Sequence, residues 1–86
     1  MFAVYVLQSE SCGSFYVGQT EDTAERVQRH NEGRVPATRG KGPWRVVHTE
    51  QYATRSEACR RERQIKAQKS REYITRLVGR NQNRGG

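Results

Sequence analysis

The sequence predicts a small α+β domain: a three-stranded antiparallel sheet flanked by about three helices, in the order ββαβαα. Three observations carry this prediction. Apolar and aromatic residues fall into three short strand-like runs, near residues 2–8, 14–20 and 44–52. Capping residues, Asp22, Thr54 or Ser56, and Ser70, stand ahead of three stretches with helical spacing. A chain of 86 residues has room for one domain and no second. That domain is expected to span 1–79, with 80–86 as a flexible basic tail.

The first two strands, Phe2–Gln8 and Ser14–Thr20, form a hairpin closed by a polar turn around Ser11-Cys12-Gly13. Each carries one internal tyrosine, Tyr5 and Tyr16. An even-length loop puts both phenols on one face of the sheet, directly opposite each other if the turn centres between Glu10 and Ser11. An odd or bulged loop would separate them. By itself this is a cross-strand aromatic pair that stabilises a small sheet.

Asp22 and Glu25 open a helix over Thr23–Glu32, and Gly33 is suited to end it. Its thin buried stripe is Ala24 and Val27, with Asn31 on the same side. Arg26 and His30, four apart, share a face beside that stripe, at the edge of the core. Read singly, they are a snorkelling arginine and a helix-end histidine.

RVPATRGKGPW follows as a loop rich in glycine, proline and basic residues. Arg34, Arg39 and Lys41 on it suit phosphate contacts as well as they suit solvent. The third strand, Trp44–Tyr52, is expected to put Trp44, Val46, His48 and Tyr52 on one face and Arg45, Val47 and Thr49 on the other. The second helix aligns Ala58, Glu62 and Ile65 on one stripe. A carboxylate inside the helix's one apolar stripe is costly unless paired or bound to a cation. Glu62 is therefore the most informative charge in the chain, with a neighbouring arginine as the ordinary partner. Arg55 and Arg61 belong to the basic surface of the same helix. The last helix is expected over Arg71–Val78, ended by Gly79.

Only 14 residues are Phe, Leu, Ile or Val, and the net charge is +7 with a pI near 10.1. A small core and a polyanionic partner follow, nucleic acid being the commonest such partner. Cys12 and Cys59 have no metal-ligand spacing and are expected to be reduced thiols of a cytoplasmic protein. No apolar run approaches the length of a membrane span.

With these residues in place a family resemblance can be stated. Ala3-Val4-Tyr5, then ten residues, then Tyr16-Val17-Gly18 resembles the paired motifs of the GIY-YIG nuclease superfamily. Arg26 and His30 are similar to its Arg-x3-His helix, and Glu62 stands at its metal-binding glutamate. The length, the His30-Asn31 pair and the Thr-Arg-Gly-Lys-Gly loop look most like small stand-alone bacterial members, similar to the incision domain of the excision-repair nuclease.

The resemblance implies a metal-dependent endonuclease that hydrolyses DNA phosphodiester bonds, directed to a branch, flap or lesion, as in repair or recombination. It implies one divalent ion at Glu62, Mg²⁺ with Mn²⁺ as a substitute. It implies catalytic roles for Tyr5, Tyr16, Arg26 and His30, with Tyr5 as general base aided by nearby positive charge. Arg34, Arg39, Lys41, Arg55 and Arg61 are the candidate nucleic-acid contacts. The expected protein is a monomer in the bacterial cytoplasm, with a nucleoid association open and no membrane partner. Two alternatives stay open. One is a catalytically weak or inactive nucleic-acid-binding module with the same fold, motivated by Gln19 where many members carry lysine. The other is a basic RNA-associated protein.

Overall fold

A computed structural model describes residues 1–83. Strands β1 (Phe2–Ser9), β2 (Phe15–Thr20) and β3 (Trp44–Tyr52) alternate with helices α1 (Thr23–Asn31), α2 (Arg55–Ala67) and α3 (Arg71–Asn83) in the order ββαβαα. The sheet is antiparallel throughout, with β1 central and β2 and β3 at its edges. The α+β architecture expected of the sequence is the one observed. Among the described residues no helix is long and apolar enough to cross a membrane.

β1 is buried along almost its whole length because helices cover both faces of the sheet. On one face Val4, Val6 and Val17 pack with Ala58 and Ile65 of α2 and Val78 of α3. On the other, Tyr5, Leu7 and Trp44 pack with Tyr16 and with Val27 of α1. The smaller of these two cores contains the tyrosines.

β1 and β2 pair with Tyr5 opposite Gly18 and Leu7 opposite Tyr16. Both tyrosines thus face the same way, diagonally and not directly opposed, since the hairpin centres one residue later than Glu10–Ser11. β3 departs from simple alternation. A β-bulge shifts its register between Val6 and Leu7, so Val6 pairs with His48 but Leu7 with Val46. The extra residue, Val47, joins the α2 core. Beyond it every side chain changes face. Trp44 and Val46 therefore share the tyrosine face with Thr49, while His48 and Tyr52 lie on the opposite face with Val47.

The helix ends follow local chemistry. Asp22 accepts the Glu25 N–H, and Thr54 with Glu57 forms a complete capping box. Gly33 takes a positive φ of 75° just past α1. Two expectations for the helices fail. Ala24 is exposed, and the residue α1 buries is His30. Gly79 does not end α3, which continues to Asn83; a single glycine costs a helix only about 1 kcal/mol. Residues 84–86 of the expected tail lie outside the described residues.

Candidate active site

The site is built where α1 crosses the tyrosine face. Tyr5 projects from the central strand over Gly18, and its hydroxyl lies 3.1 Å from His30 Nε2. Tyr16 reaches in from β2, with its ring centroid 4.8 Å from the His30 ring and 6.4 Å from the Tyr5 ring. His30 is 2 % exposed, although it belongs to a short polar helix. A buried imidazole is tolerated when both nitrogens have partners. The second partner is Thr38 Oγ1, 2.7 Å from Nδ1. Tyr5, His30 and Thr38 form one chain of hydrogen-bonding groups through the small core.

Trp44 closes the far end of this core. Its indole N–H donates to the Thr38 carbonyl at 3.2 Å, and the Asn31 side-chain amide clamps the Trp44 backbone on both its N–H and its carbonyl. The loop between α1 and β3 is thereby tied to the helix end that carries His30.

Arg26 lies one helical turn before His30. Its Nε is buried with no hydrogen-bond partner among the described residues. Such an atom is costly to leave unpaired, and an oxyanion would satisfy it. The electrostatics are mutual. Burial and then the Arg26 charge hold the His30 imidazole below its ordinary value, so it is neutral at neutral pH. Burial is also the chief influence on Tyr5, followed by Tyr16. They push its hydroxyl well above the phenol range, as does the Glu62 charge, while Arg26 pulls it down. The positive charge expected to activate Tyr5 is present, but desolvation outweighs it. In the free protein Tyr5 is a protonated phenol beside a neutral imidazole.

Glu62 stands on α2, between the buried Ala58 and Ile65, as its spacing predicts. Its partner is a lysine one turn on and not an arginine: Lys66 Nζ lies 2.6 Å from its carboxylate. The same ammonium is 6.0 Å from the Tyr16 ring centroid. Lys66 thus connects Glu62 to the tyrosine face past edge strand β2. Among the described residues no three His, Cys, Asp or Glu side chains gather into a metal cage. The Glu62 side chain is 20 % exposed and its lysine 50 % exposed. That donor set fits a hard divalent ion held by one carboxylate and completed by water and phosphate oxygens.

The five expected basic contacts divide between the two sides. Arg34, Arg39 and Lys41 surround Thr38 on the loop beside His30. Arg34 meets Glu32 at 3.3 Å, Arg39 Nε donates to the Gly33 carbonyl at 3.0 Å, and Lys41 is exposed. Arg55 lies over the Phe2 ring, 5.0 Å from its centroid, and 3.6 Å from Glu21. Arg61 grips Glu50 of β3 through two nitrogens, at 2.8 and 3.1 Å. Gln19, on the α2 side of β2, buries its Oε1 without a partner among the described residues.

Thr38 and Lys66 carry contacts in this site that sequence reasoning passed over. Lys66 was legible as the i+4 neighbour of Glu62. Thr38 opens the Thr-Arg-Gly-Lys-Gly loop, which carries part of the family resemblance, but the loop has no periodicity and nothing local gives the hydroxyl a partner.

The chain is similar to known proteins over most of its length. The family model described as the GIY-YIG catalytic domain matches residues 1–75. A UPF0213 protein of Halobacterium salinarum is 45 % identical over 67 residues, covering 77 % of this chain and 86 % of the relative. A UPF0213 protein of Staphylococcus aureus is 38 % identical over 76 residues, covering 87 % and 90 %. The solution NMR structure of a UPF0213 protein from Bacillus halodurans aligns with a TM-score of 0.57 at 37 % identity, covering 92 % of this chain and 84 % of that one.

Proposed function

The chain belongs to the GIY-YIG catalytic domain family, and from that premise we propose that it is a metal-dependent endonuclease acting on DNA. Membership carries a nuclease-superfamily fold and a nucleic-acid substrate. Our reading goes further and assigns hydrolysis of a phosphodiester bond, at a branch, flap or lesion, by a cytoplasmic monomer. The observation that supports it most is the gathering of Tyr5, Tyr16, His30 and the Arg26 Nε, which has no partner among the described residues, around one small buried core, with Glu62 joined to its edge through Lys66.

Hydrolysis needs a deprotonated water, charge stabilisation on the phosphate and help for the leaving oxygen. Arg26 takes the non-bridging oxygens, which satisfies its buried Nε. Tyr5 passes its hydroxyl proton to His30 Nε2 and accepts one from water at the same oxygen. A buried phenol is a poor base alone; coupled to a neutral imidazole it is an adequate one. The hydroxide so formed attacks phosphorus while the 3′-oxygen departs. Tyr16, against the His30 ring, confines the imidazole and borders the substrate. A divalent ion at Glu62, Mg²⁺ with Mn²⁺ as substitute, would supply Lewis-acid stabilisation of the leaving oxygen.

The test is nicking of plain, branched, flap and lesion-bearing DNA with and without Mg²⁺. Wild type is expected to cut at least one of these only with metal. Glu62→Ala and Tyr5→Phe are each expected to lose the activity by about 10²-fold or more. Cleavage surviving Glu62→Ala overturns the metal assignment. A second reading draws support from Lys66, whose ammonium already neutralises Glu62, and from Gln19: a module that binds nucleic acid without cutting it. Salt-sensitive binding with no cleavage of any substrate would favour that reading.

A further inference from the structure

We propose that Thr38 is a positioning residue: its hydroxyl fixes the Nδ1–H tautomer of His30 and so turns the lone pair of Nε2 toward the Tyr5 hydroxyl. The inference deepens the nuclease reading and rests on it for its catalytic meaning, though not for its structural content.

A threonine hydroxyl has one proton to give. Thr38 Oγ1 has two neighbours, the Val35 carbonyl at 3.4 Å and His30 Nδ1 at 2.7 Å. The Val35 carbonyl already accepts the Thr38 and Arg39 backbone N–H groups, at 3.1 and 3.0 Å, and takes the hydroxyl proton only as a weak third bond. Tyr5 decides the shorter contact: its buried hydroxyl has His30 Nε2 as its one hydrogen-bond partner among the described residues, so the phenol donates there and Nδ1–H donates to Oγ1. A neutral imidazole carries one proton, so Nε2 is left as an acceptor, 3.1 Å from Tyr5 Oη. Tyr5 is the donor in that bond. The opposite tautomer would have Nε2–H donate to Tyr5, and the phenol proton would have no imidazole to enter.

Thr38 is placed to hold this arrangement. It is 1 % exposed, and its own carbonyl is anchored by the Trp44 indole N–H. Water has little access to replace the hydroxyl. The partner that orients an imidazole from its far nitrogen sets which nitrogen works, as outer-shell partners of histidine do elsewhere. Serine would preserve the hydroxyl. Valine would preserve the shape and leave Nδ1 facing a methyl group.

The experiment reads the tautomer directly, from the two imidazole ¹⁵N shifts of His30 in the DNA-free protein. Wild type and Thr38→Ser are expected to show a protonated Nδ1 and an unprotonated Nε2. Thr38→Val is expected to move the population toward Nε2–H. On a DNA that wild type cuts, the single-turnover rate should fall about 10–100-fold in Thr38→Val, with DNA affinity unchanged and Thr38→Ser restoring the rate. A wild-type His30 protonated on Nε2, or shifts that Thr38→Val leaves in place, overturns the proposal. Should Thr38→Val fail to fold, the wild-type and Thr38→Ser spectra decide alone. Should wild type cut no DNA, the nuclease reading fails while the ¹⁵N shifts still decide the tautomer.

Discussion

Opposite Tyr5 on β2 stands Gly18, with no side chain, and the phenol occupies the space. A Cβ on Gly18 would lie 2.5 Å from the Tyr5 hydroxyl oxygen and 2.7 Å from its Cζ. No neighbour can yield there without the ring leaving its place, since Tyr5 is 2 % exposed and surrounded. Gly18→Ala is therefore expected to fold but to shift the phenol away from His30. Misplacement of about 1 Å costs on the order of 10²-fold in rate. Single-turnover nicking rates beside circular dichroism spectra check this, and an unchanged rate would mean that the Tyr5–His30 contact is not used. Tyr5, Tyr16 and Gly18 were legible because strand alternation and turn chemistry are local. The depth of His30 was not, because α1 read as a polar helix with a thin Ala24–Val27 stripe. What permits its burial is a partner from β1 and another from the following loop, and no periodicity reports on either.

The elements are held together on the opposite face by a polar latch. Glu50 of β3 accepts hydrogen bonds from the Tyr52 hydroxyl at 2.6 Å and from both gripping nitrogens of Arg61 on α2, and it lies 2.8 Å from His48 Nε2. Arg61 also reaches the Tyr73 hydroxyl on α3 at 3.4 Å. Burial works to raise the Glu50 pKa, but the bonds from Arg61, Tyr52 and His48 win and carry it down to about 2, from an ordinary 4.5. The folded chain thus binds this proton less readily than the unfolded one. The stabilisation is complete above pH ~4.5 and is lost as the pH falls through about 2, worth on the order of 3 kcal/mol. Glu50→Gln is expected to be less stable than wild type at pH 7, because it leaves the Arg61 charge half-buried and unmatched. The gap should narrow on acidification, as wild type loses what the variant never had. Urea unfolding midpoints at pH 7, 4 and 3 measure it, and a gap independent of pH would exclude the latch. The bounds of β3 and a cap for α2 at Thr54 or Ser56 were readable from sequence, since both depend on near neighbours. This latch was not, because it depends on the bulge at Val47. One extra residue turns His48, Glu50 and Tyr52 toward α2, and Arg61, which reads as a surface charge, becomes their partner.

At the scale of the whole molecule the charge is excessive for the size. A net charge of +7 sits on a body of 30 × 27 × 26 Å. Such a body spans less than one helical turn of duplex DNA, about 34–36 Å. That footprint offers little room for reading base edges, so recognition should rest on backbone contacts and on substrate shape. The basic residues are not equivalent in this respect. Arg34, Arg39 and Lys41 flank the tyrosine face, whereas Arg61 is engaged with Glu50 and Arg55 lies over Phe2 on the far side. Under our reading only the first group meets the phosphates. Each phosphate contact releases counterions and adds about 0.9 to the slope of log affinity against log salt. Arg39→Ala and Lys41→Ala are accordingly expected to weaken binding to every DNA alike and to flatten that slope by about 0.9 each. Arg55→Ala should leave the slope unchanged. Fluorescence anisotropy of a labelled duplex, titrated between about 50 and 200 mM salt, gives all three slopes. An Arg55→Ala slope that falls as far as those of the loop variants would place the nucleic acid across the α2 side. The tyrosine core would then lie away from the bound nucleic acid, and its assembled hydrogen bonds would need a different explanation.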